Sequence, residues 1–162
     1  MENNMMNGET TCKCPGSMEM SFDHSGNNDK NKTEICSQLS QWPVQLHLLN
    51  PLAAYFKDAD VIVAADCSAY AFGNFHNNFL KNRSLAIACP KLDSWGDEYI
   101  EKIKTMVDIS KINTITVVMI EVPCCEGLLK IVQQAIANAT RKIPIKKVII
   151  GIKGNIIKEE WI

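Results

Sequence analysis

From residue 35 onward, short apolar runs alternate with segments whose apolar residues recur at helical spacing. The continuously apolar runs, rich in β-branched residues, are typical of parallel strands buried on both faces; they are DADVIVAADC (58–67), SLAIACP (84–90), INTITVVMIEVP (112–123) and KKVIIGI (146–152). Apolar residues repeat with helical spacing in residues 94–109 and 126–140, and less regularly in the aromatic stretch 68–82. We also expect a short strand in VQLHLL (44–49) and a helical turn in LAAYFKDA (52–59).

This alternation of strand and helix predicts right-handed βαβ crossovers. The expected fold is a three-layer α/β domain, flavodoxin-like or Rossmann-like. Its mostly parallel sheet should have about four to five strands, with helices on both faces. Residues 35–162 are expected to form this single domain. Residues 1–34 are rich in polar residues and glycine, so we expect a mobile arm that carries the sequence CKCPGS (12–17).

Cysteines follow three of the predicted strands. Cys67 ends the first, Cys89 ends the second, and the adjacent pair Cys124 and Cys125 ends the third. Because the carboxyl ends of parallel strands meet at one edge of a sheet, where ligands bind in open α/β folds, we expect these thiols to converge. One cysteine at a strand end is commonly only a packing residue, but four such thiols predict a site for a soft metal.

Thiolate ligands from widely spaced loops favour an iron–sulfur cluster over a compact zinc ribbon. Cys67, Cys89, Cys124 and Cys125 are the predicted metal ligands, and Cys12 or Cys14 could add a further one if the arm folds back. Neighbouring side chains in extended backbone point to opposite sides, so only one of Cys124 and Cys125 is expected to be ideally placed unless the backbone turns there.

Composition and charge argue against several classes of function for this chain. The 162 residues are 46% apolar and carry a net charge of −1, which gives no electrostatic footprint for nucleic acid. No apolar stretch is long enough to span a membrane, and no secretory signal opens the chain, so we expect a cytoplasmic protein. Seven cysteines, an odd number, argue against a disulfide framework in that compartment. The strand–helix junctions contain no G-x-G-x-x-G loop, which disfavours a dinucleotide cofactor.

Several polar residues near the predicted edge have both functional and structural interpretations. His76 could be a ligand or a proton carrier, although a surface histidine is the more common case. Asp66, Asp93, Glu121 and Lys91 could assist the thiols or simply cap loops and face solvent. His47 and His24 are expected to be structural or solvent-exposed.

The stretches CPGS, QLSQWPVQLHLLNP, DADVIVAADCSAYAFGNFH, FLKNRSLAIACPKLD and ITVVMIEVPCCEGL resemble the C-terminal region of ferredoxin-type 4Fe-4S binding proteins of anaerobic bacteria and archaea. The resemblance covers nearly the whole chain, from about Cys12 to Gly154. It implies an iron–sulfur binding oxidoreductase of unassigned reaction. The chain begins shortly before CPGS, without the two-cluster ferredoxin module that usually precedes this region, and Glu126-Gly127 replaces the usual pair of glycines.

The resulting interpretation is a redox protein that exchanges electrons with a ferredoxin or another redox partner, or acts on a small substrate. One alternative is a zinc-thiolate enzyme assisted by His76. Another is a metal-free thiol enzyme that uses Cys124 or Cys125. The last is a scaffold domain without a cluster.

Overall fold

A five-stranded sheet organises the part of the chain that the computed structural model describes, which is residues 19–22 and 36–162. The strands are β1 (Met20–Ser21), β2 (Gln41–Trp42), β3 (Asp60–Ala65), β4 (Ser84–Ala88), β5 (Thr114–Ile120), β6 (Ile145–Ile150) and β7 (Ile156–Trp161). The order in the sheet is β4-β3-β5-β6-β7, with β3 to β6 parallel and β7 antiparallel to β6. This confirms the predicted three-layer α/β fold and its mostly parallel sheet.

The connections between the parallel strands are helical. The α-helices are α1 (Ser68–Ala71), α2 (Gly96–Asp108) and α3 (Glu126–Asn138). Short 3-10 turns cover Ala54–Phe56 and Pro123–Cys125, and a π-helical turn covers His76–Leu80. Helices α2 and α3 pack against each other, and each presents an apolar stripe to the sheet.

The strand order places a switch point between β3 and β5. Counted within the sheet, the order is 2-1-3-4-5, as in flavodoxin-like folds. The chain leaves β3 towards β4 on one side and returns through α2 to β5 on the other. Adjacent connections therefore diverge above the carboxyl ends of β3 and β5, and leave a crevice there.

The central strands are apolar throughout because both of their faces are covered. Val61–Ala65 of β3 and Ile115–Ile120 of β5 are completely buried, whereas β7 exposes five of its six residues. The exposure of β7 explains why it lacks an apolar run and was not predicted.

The C-terminal end of α2 is held by a carboxylate. Asp108 accepts hydrogen bonds from the backbone and hydroxyl of Thr140 and from the Arg141 N–H, which ties α2 to the loop after α3.

Two predicted elements differ from the structure. The strand predicted in VQLHLL is wrong: only Gln45 bridges to β4, and residues 46–48 form a turn in which Leu48 and Leu49 donate to the Gln45 carbonyl. The aromatic stretch 68–82 is not one helix, because α1 ends at Ala71 and the exposed pair Gly73-Asn74 separates it from the π-helical turn. The helical turn near residue 54 is confirmed.

The N-terminal segment is described only at residues 19–22. There, β1 pairs with β2 through Met20 opposite Trp42 and Ser21 opposite Gln41, so this part of the predicted arm is attached to the domain. Cys12, Cys14 and His24 lie outside the described residues. Within the described ranges, no helix has the length and apolar character needed to cross a membrane.

Candidate functional site at the carboxyl edge of the sheet

The thiols lie where three neighbouring strands end. Cys67 follows β3, Cys89 follows β4, and Cys124 and Cys125 follow β5. Since β3 lies between β4 and β5, Cys67 occupies the middle of this row. Cys67 and the cysteine pair therefore flank the switch point, which is the position where open α/β sheets bind ligands.

Cys67 is exposed at the start of α1. The preceding turn is fixed because the buried Ser68 hydroxyl donates to the Ala65 carbonyl (2.7 Å). The Cys67 carbonyl accepts the Ala71 N–H (3.2 Å), which closes the single turn of α1. The Cys67 thiol thus lies at the surface, on a short turn that hydrogen bonds hold to the end of the buried strand β3.

The adjacent cysteines have opposite environments. Pro123 opens a 3-10 turn in which the Cys125 N–H donates to the Val122 carbonyl (3.1 Å), and α3 begins directly afterwards. Cys124 is exposed, whereas Cys125 is only 3% exposed. The two thiols thus differ in exposure, and the backbone that carries them is turned rather than extended.

The environment of Cys125 shows that three thiols interact. Burial raises the pKa of Cys125 to about 11, opposed by a backbone hydrogen bond with Ile120. The nearby Cys124 and Cys67 sulfurs raise the pKa further, and Cys124 also hydrogen bonds with Cys125. Cys67 and the cysteine pair, 57 residues apart in sequence, are therefore within electrostatic range of each other.

Cys89 is held by a carboxylate. Asp93 Oδ2 accepts hydrogen bonds from the Cys89 N–H (3.0 Å) and the Tyr99 hydroxyl (2.9 Å), and the Asp93 N–H donates back to the Cys89 carbonyl (2.8 Å). Burial raises the pKa of Tyr99, and its hydrogen bond to Asp93 adds to this effect. Asp93 thus fixes the half-buried Cys89 loop on the first turns of α2.

The Cys89 loop also packs against the start of α3. A Cβ atom placed on Gly127 would lie 2.9 Å from Pro90 Cβ, which is closer than real side chains approach. Gly127 therefore allows the loop after β4 to contact the helix that follows the cysteine pair.

Asp66 is a partly buried acid beside Cys67. Burial raises the pKa of Asp66, the negative charge of Asp93 adds to this effect, and a hydrogen bond with the Gln45 side chain opposes it. Asp66 Oδ1 is buried and has no hydrogen-bond partner among the described residues. Asp66 and Asp93 are thus close enough for their charges to interact.

The remaining candidates have other roles. Glu121 Oε1 accepts the Ile152 N–H (2.9 Å), so it holds the β6–β7 turn. His47 is exposed and stacks on Trp95, with 4.5 Å between ring centroids. Lys91 is exposed beside the Cys89 loop. His76 lies on the π-helical turn, and its Nδ1 accepts the Gln38 N–H (3.1 Å).

The convergence of the loops was predictable, but their supporting residues were not. Gln45 reaches Asp66 and Gly127 contacts Pro90 across long stretches of sequence, and no local pattern marks these contacts or the Tyr99–Asp93 hydrogen bond. Among the residues that the structure describes, no three His, Cys, Asp or Glu side chains already stand together as a metal site.

Comparisons with known proteins give a fold family and a relative. Residues 53–162 match the family described as Rossmann-like domain. An uncharacterized protein of Archaeoglobus fulgidus is 29% identical over 117 residues, which cover 72% of this chain and 81% of that protein. No solved structure matches the chain significantly.

Proposed function

The chain belongs to the Rossmann-like domain family, and from that premise we propose that it is a redox protein whose thiols bind an iron–sulfur cluster at the switch point of the sheet. The proposed ligands are Cys67, Cys89, Cys124 and Cys125. The observation that carries the proposal is the position of the four thiols at the ends of three neighbouring strands, where Cys67 follows β3, Cys89 follows β4 and the cysteine pair follows β5. The sequence resemblance to ferredoxin-type 4Fe-4S proteins supports the same assignment.

The donor set suits an iron–sulfur cluster because thiolates are its usual ligands. Since these side chains are not already disposed as a metal site, binding requires rotation of the exposed thiols of Cys67 and Cys124. The half-buried Cys89 and the buried Cys125 must also lose their protons. The cluster would supply one-electron chemistry when bound.

Helix α3 partly offsets the burial that disfavours an anionic sulfur at Cys125. The N-terminus of the 13-residue helix α3 follows Cys125 directly, and its positive end stabilises nearby thiolates. Asp93 orients the Cys89 backbone, and Gly127 lets the two loops approach each other. These groups position the loops that carry the thiols.

Electron exchange with a ferredoxin or another redox protein fits the exposure of this edge. Tyr70 on α1 is 92% exposed, and Leu92 in the Cys89 loop is 82% exposed. Both follow a proposed ligand by three residues, so they flank the thiols and are available to a partner. Exposed aromatic and aliphatic side chains are common at protein interfaces.

The test is anaerobic reconstitution with iron and sulfide, followed by an absorption spectrum and metal analysis. The wild-type chain should gain a broad visible band and about four irons per chain. Serine replacement of Cys67, Cys89, Cys124 or Cys125 should each lower the iron content severalfold, because a lost thiolate leaves a cluster iron without its preferred ligand. Cys36→Ser is the matched control, since Cys36 is exposed and outside the row.

The other outcomes separate the alternatives. A colourless protein that holds stoichiometric zinc would indicate a zinc-thiolate centre rather than an iron–sulfur cluster. A colourless, metal-free protein after reconstitution would refute the proposal and leave a thiol enzyme or a scaffold. Parallel Cys12→Ser and Cys14→Ser variants test whether the N-terminal segment contributes a ligand. Circular dichroism should confirm that each serine variant is folded.

A further inference from the structure

A cavity of about 180 Å³ opens beside the thiol row, on the α1 side of the sheet. Its walls are mostly apolar; they include Val44, Phe75, Leu80, Leu85 and Ile87. Asp66 and Ser68, the two neighbours of Cys67 in sequence, also line it. An apolar cavity of about 150 Å³ accepts a six-membered ring, so this one has room for a small organic molecule.

His76 lines this cavity and carries a ring nitrogen that can donate a hydrogen bond. Because Nδ1 accepts the Gln38 N–H, the neutral ring must carry its proton on Nε2. Among the described residues, Nε2 has no hydrogen-bond partner. Two other lining residues carry hydroxyl groups: the Ser68 hydroxyl donates to the Ala65 carbonyl, and Tyr70 is 92% exposed to solvent.

The charges near the cavity select against anions. Asp66 lines it, and the negative charge of Asp93 is close enough to act on the Asp66 carboxyl. A negatively charged ligand would be repelled there. The walls, the donor and the charges together suit a neutral molecule with an apolar body and one hydrogen-bond acceptor.

We propose that this cavity binds a small neutral carbonyl compound, whose oxygen accepts a hydrogen bond from His76 Nε2. Its role as a substrate rests on the redox function proposed above, whereas its binding does not. Binding is therefore measurable in the full-length protein without a cluster. Failure of cluster binding would leave the cavity result unaffected.

The experiment is an NMR titration with cyclohexanone and with methylenecyclohexane, which has a similar shape but no acceptor oxygen. Cyclohexanone should cause saturable shifts at Ala69, His76 and Ile87. His76→Phe should lower the affinity for cyclohexanone roughly three- to ten-fold, the usual effect of losing one hydrogen bond. The affinity for methylenecyclohexane should stay unchanged. His76→Gln retains a donor and should recover part of the loss.

Two controls make the outcome decisive. His47→Phe alters a histidine outside the cavity and should change neither probe. Ala69→Phe fills the cavity from its exposed rim and should abolish the shifts with both probes. The proposal is overturned if neither probe causes saturable shifts at Ala69, His76 and Ile87, or if His76→Phe lowers the affinity for both probes equally.

Discussion

At the scale of single residues, Cys124 and Cys125 show how one turn can give neighbouring thiols different chemistry. Cys124 is exposed to solvent, whereas Cys125 is packed in the core beneath it. Burial favours the protonated thiol of Cys125, and the neighbouring sulfurs strengthen that preference. In the metal-free protein, Cys125 should therefore be a poor nucleophile.

This difference predicts the order of alkylation. With a pKa of about 11, Cys125 would be thiolate in roughly one molecule in a thousand at pH 8. Iodoacetamide should therefore label Cys124 well before Cys125, as followed by peptide mass spectrometry. In urea-unfolded protein the two rates should become similar. Equal labelling of both residues in the folded protein would contradict the structure.

Asp93 is expected to contribute to stability through its two hydrogen bonds. Asp93→Ala would leave the Cys89 N–H and the buried Tyr99 hydroxyl unpaired, at a cost of about 1–3 kcal/mol in the free energy of unfolding. Tyr99→Phe removes only one bond and should cost about 0.5–1.5 kcal/mol. In urea denaturation, the double variant should lose less than the sum of the two, because both changes break the same contact. Full additivity would show that the residues do not interact.

At the scale of elements, the contact between α3 and the Cys89 loop depends on a glycine. Gly127→Ala gains up to about 1 kcal/mol of helix propensity, but its Cβ would clash with the Pro90 ring. We expect a net loss of stability and, if the cluster proposal holds, a lower iron content after reconstitution. The measurements are a thermal unfolding curve and an iron analysis.

Gly96→Ala is the matched control for this variant. Gly96 also lies in the first turn of a 13-residue helix, yet a Cβ there meets no atom within 4 Å. It should leave stability unchanged or raise it slightly. Adding Pro90→Gly to Gly127→Ala removes the clashing ring and should restore part of the loss. A stabilised Gly127→Ala protein would mean that the helix and loop are not in contact.

The link between α2 and the loop after α3 should depend on pH. Hydrogen bonds from Thr140, and then from the Arg141 backbone, lower the pKa of Asp108 to about 2 from an ordinary value of 3.8. A lowered carboxyl pKa stabilises the folded state above the unfolded pKa, and this stabilisation is lost as pH falls from about 4 to about 2. Asp108→Asn should therefore be less stable than wild type at pH 5, and the difference should disappear near pH 2. Urea midpoints across this range provide the measurement, and a constant difference would contradict the assignment.

At the scale of the whole molecule, the repeating pattern of apolar runs was sufficient to predict the parallel sheet. Strands buried on both faces, such as β3 and β5, have continuous apolar sequences that are hard to mistake. The edge strand β7 was missed because its charged, exposed residues resemble a loop. VQLHLL was misassigned because its apolar residues pack from a turn rather than from a strand.

The candidate site was predictable to the extent that topology determines it. Parallel strands that end in cysteine must deliver those thiols to one edge, so the row of Cys67, Cys89 and the cysteine pair followed from the fold. The strand order could not be predicted in this way, and it is the order that places Cys67 next to the pair at the switch point. The cavity beside His76 depends on long-range packing and leaves no local signal in the sequence.

The most direct test of this account is the iron and acid-labile sulfide content of the full chain, purified anaerobically without reconstitution. We predict about four of each per chain, with a broad visible absorption that disappears in Cys67→Ser. Iron-free protein in the wild type, or iron retained at full content in Cys67→Ser, would contradict the claim that the thiols at the switch point bind a cluster.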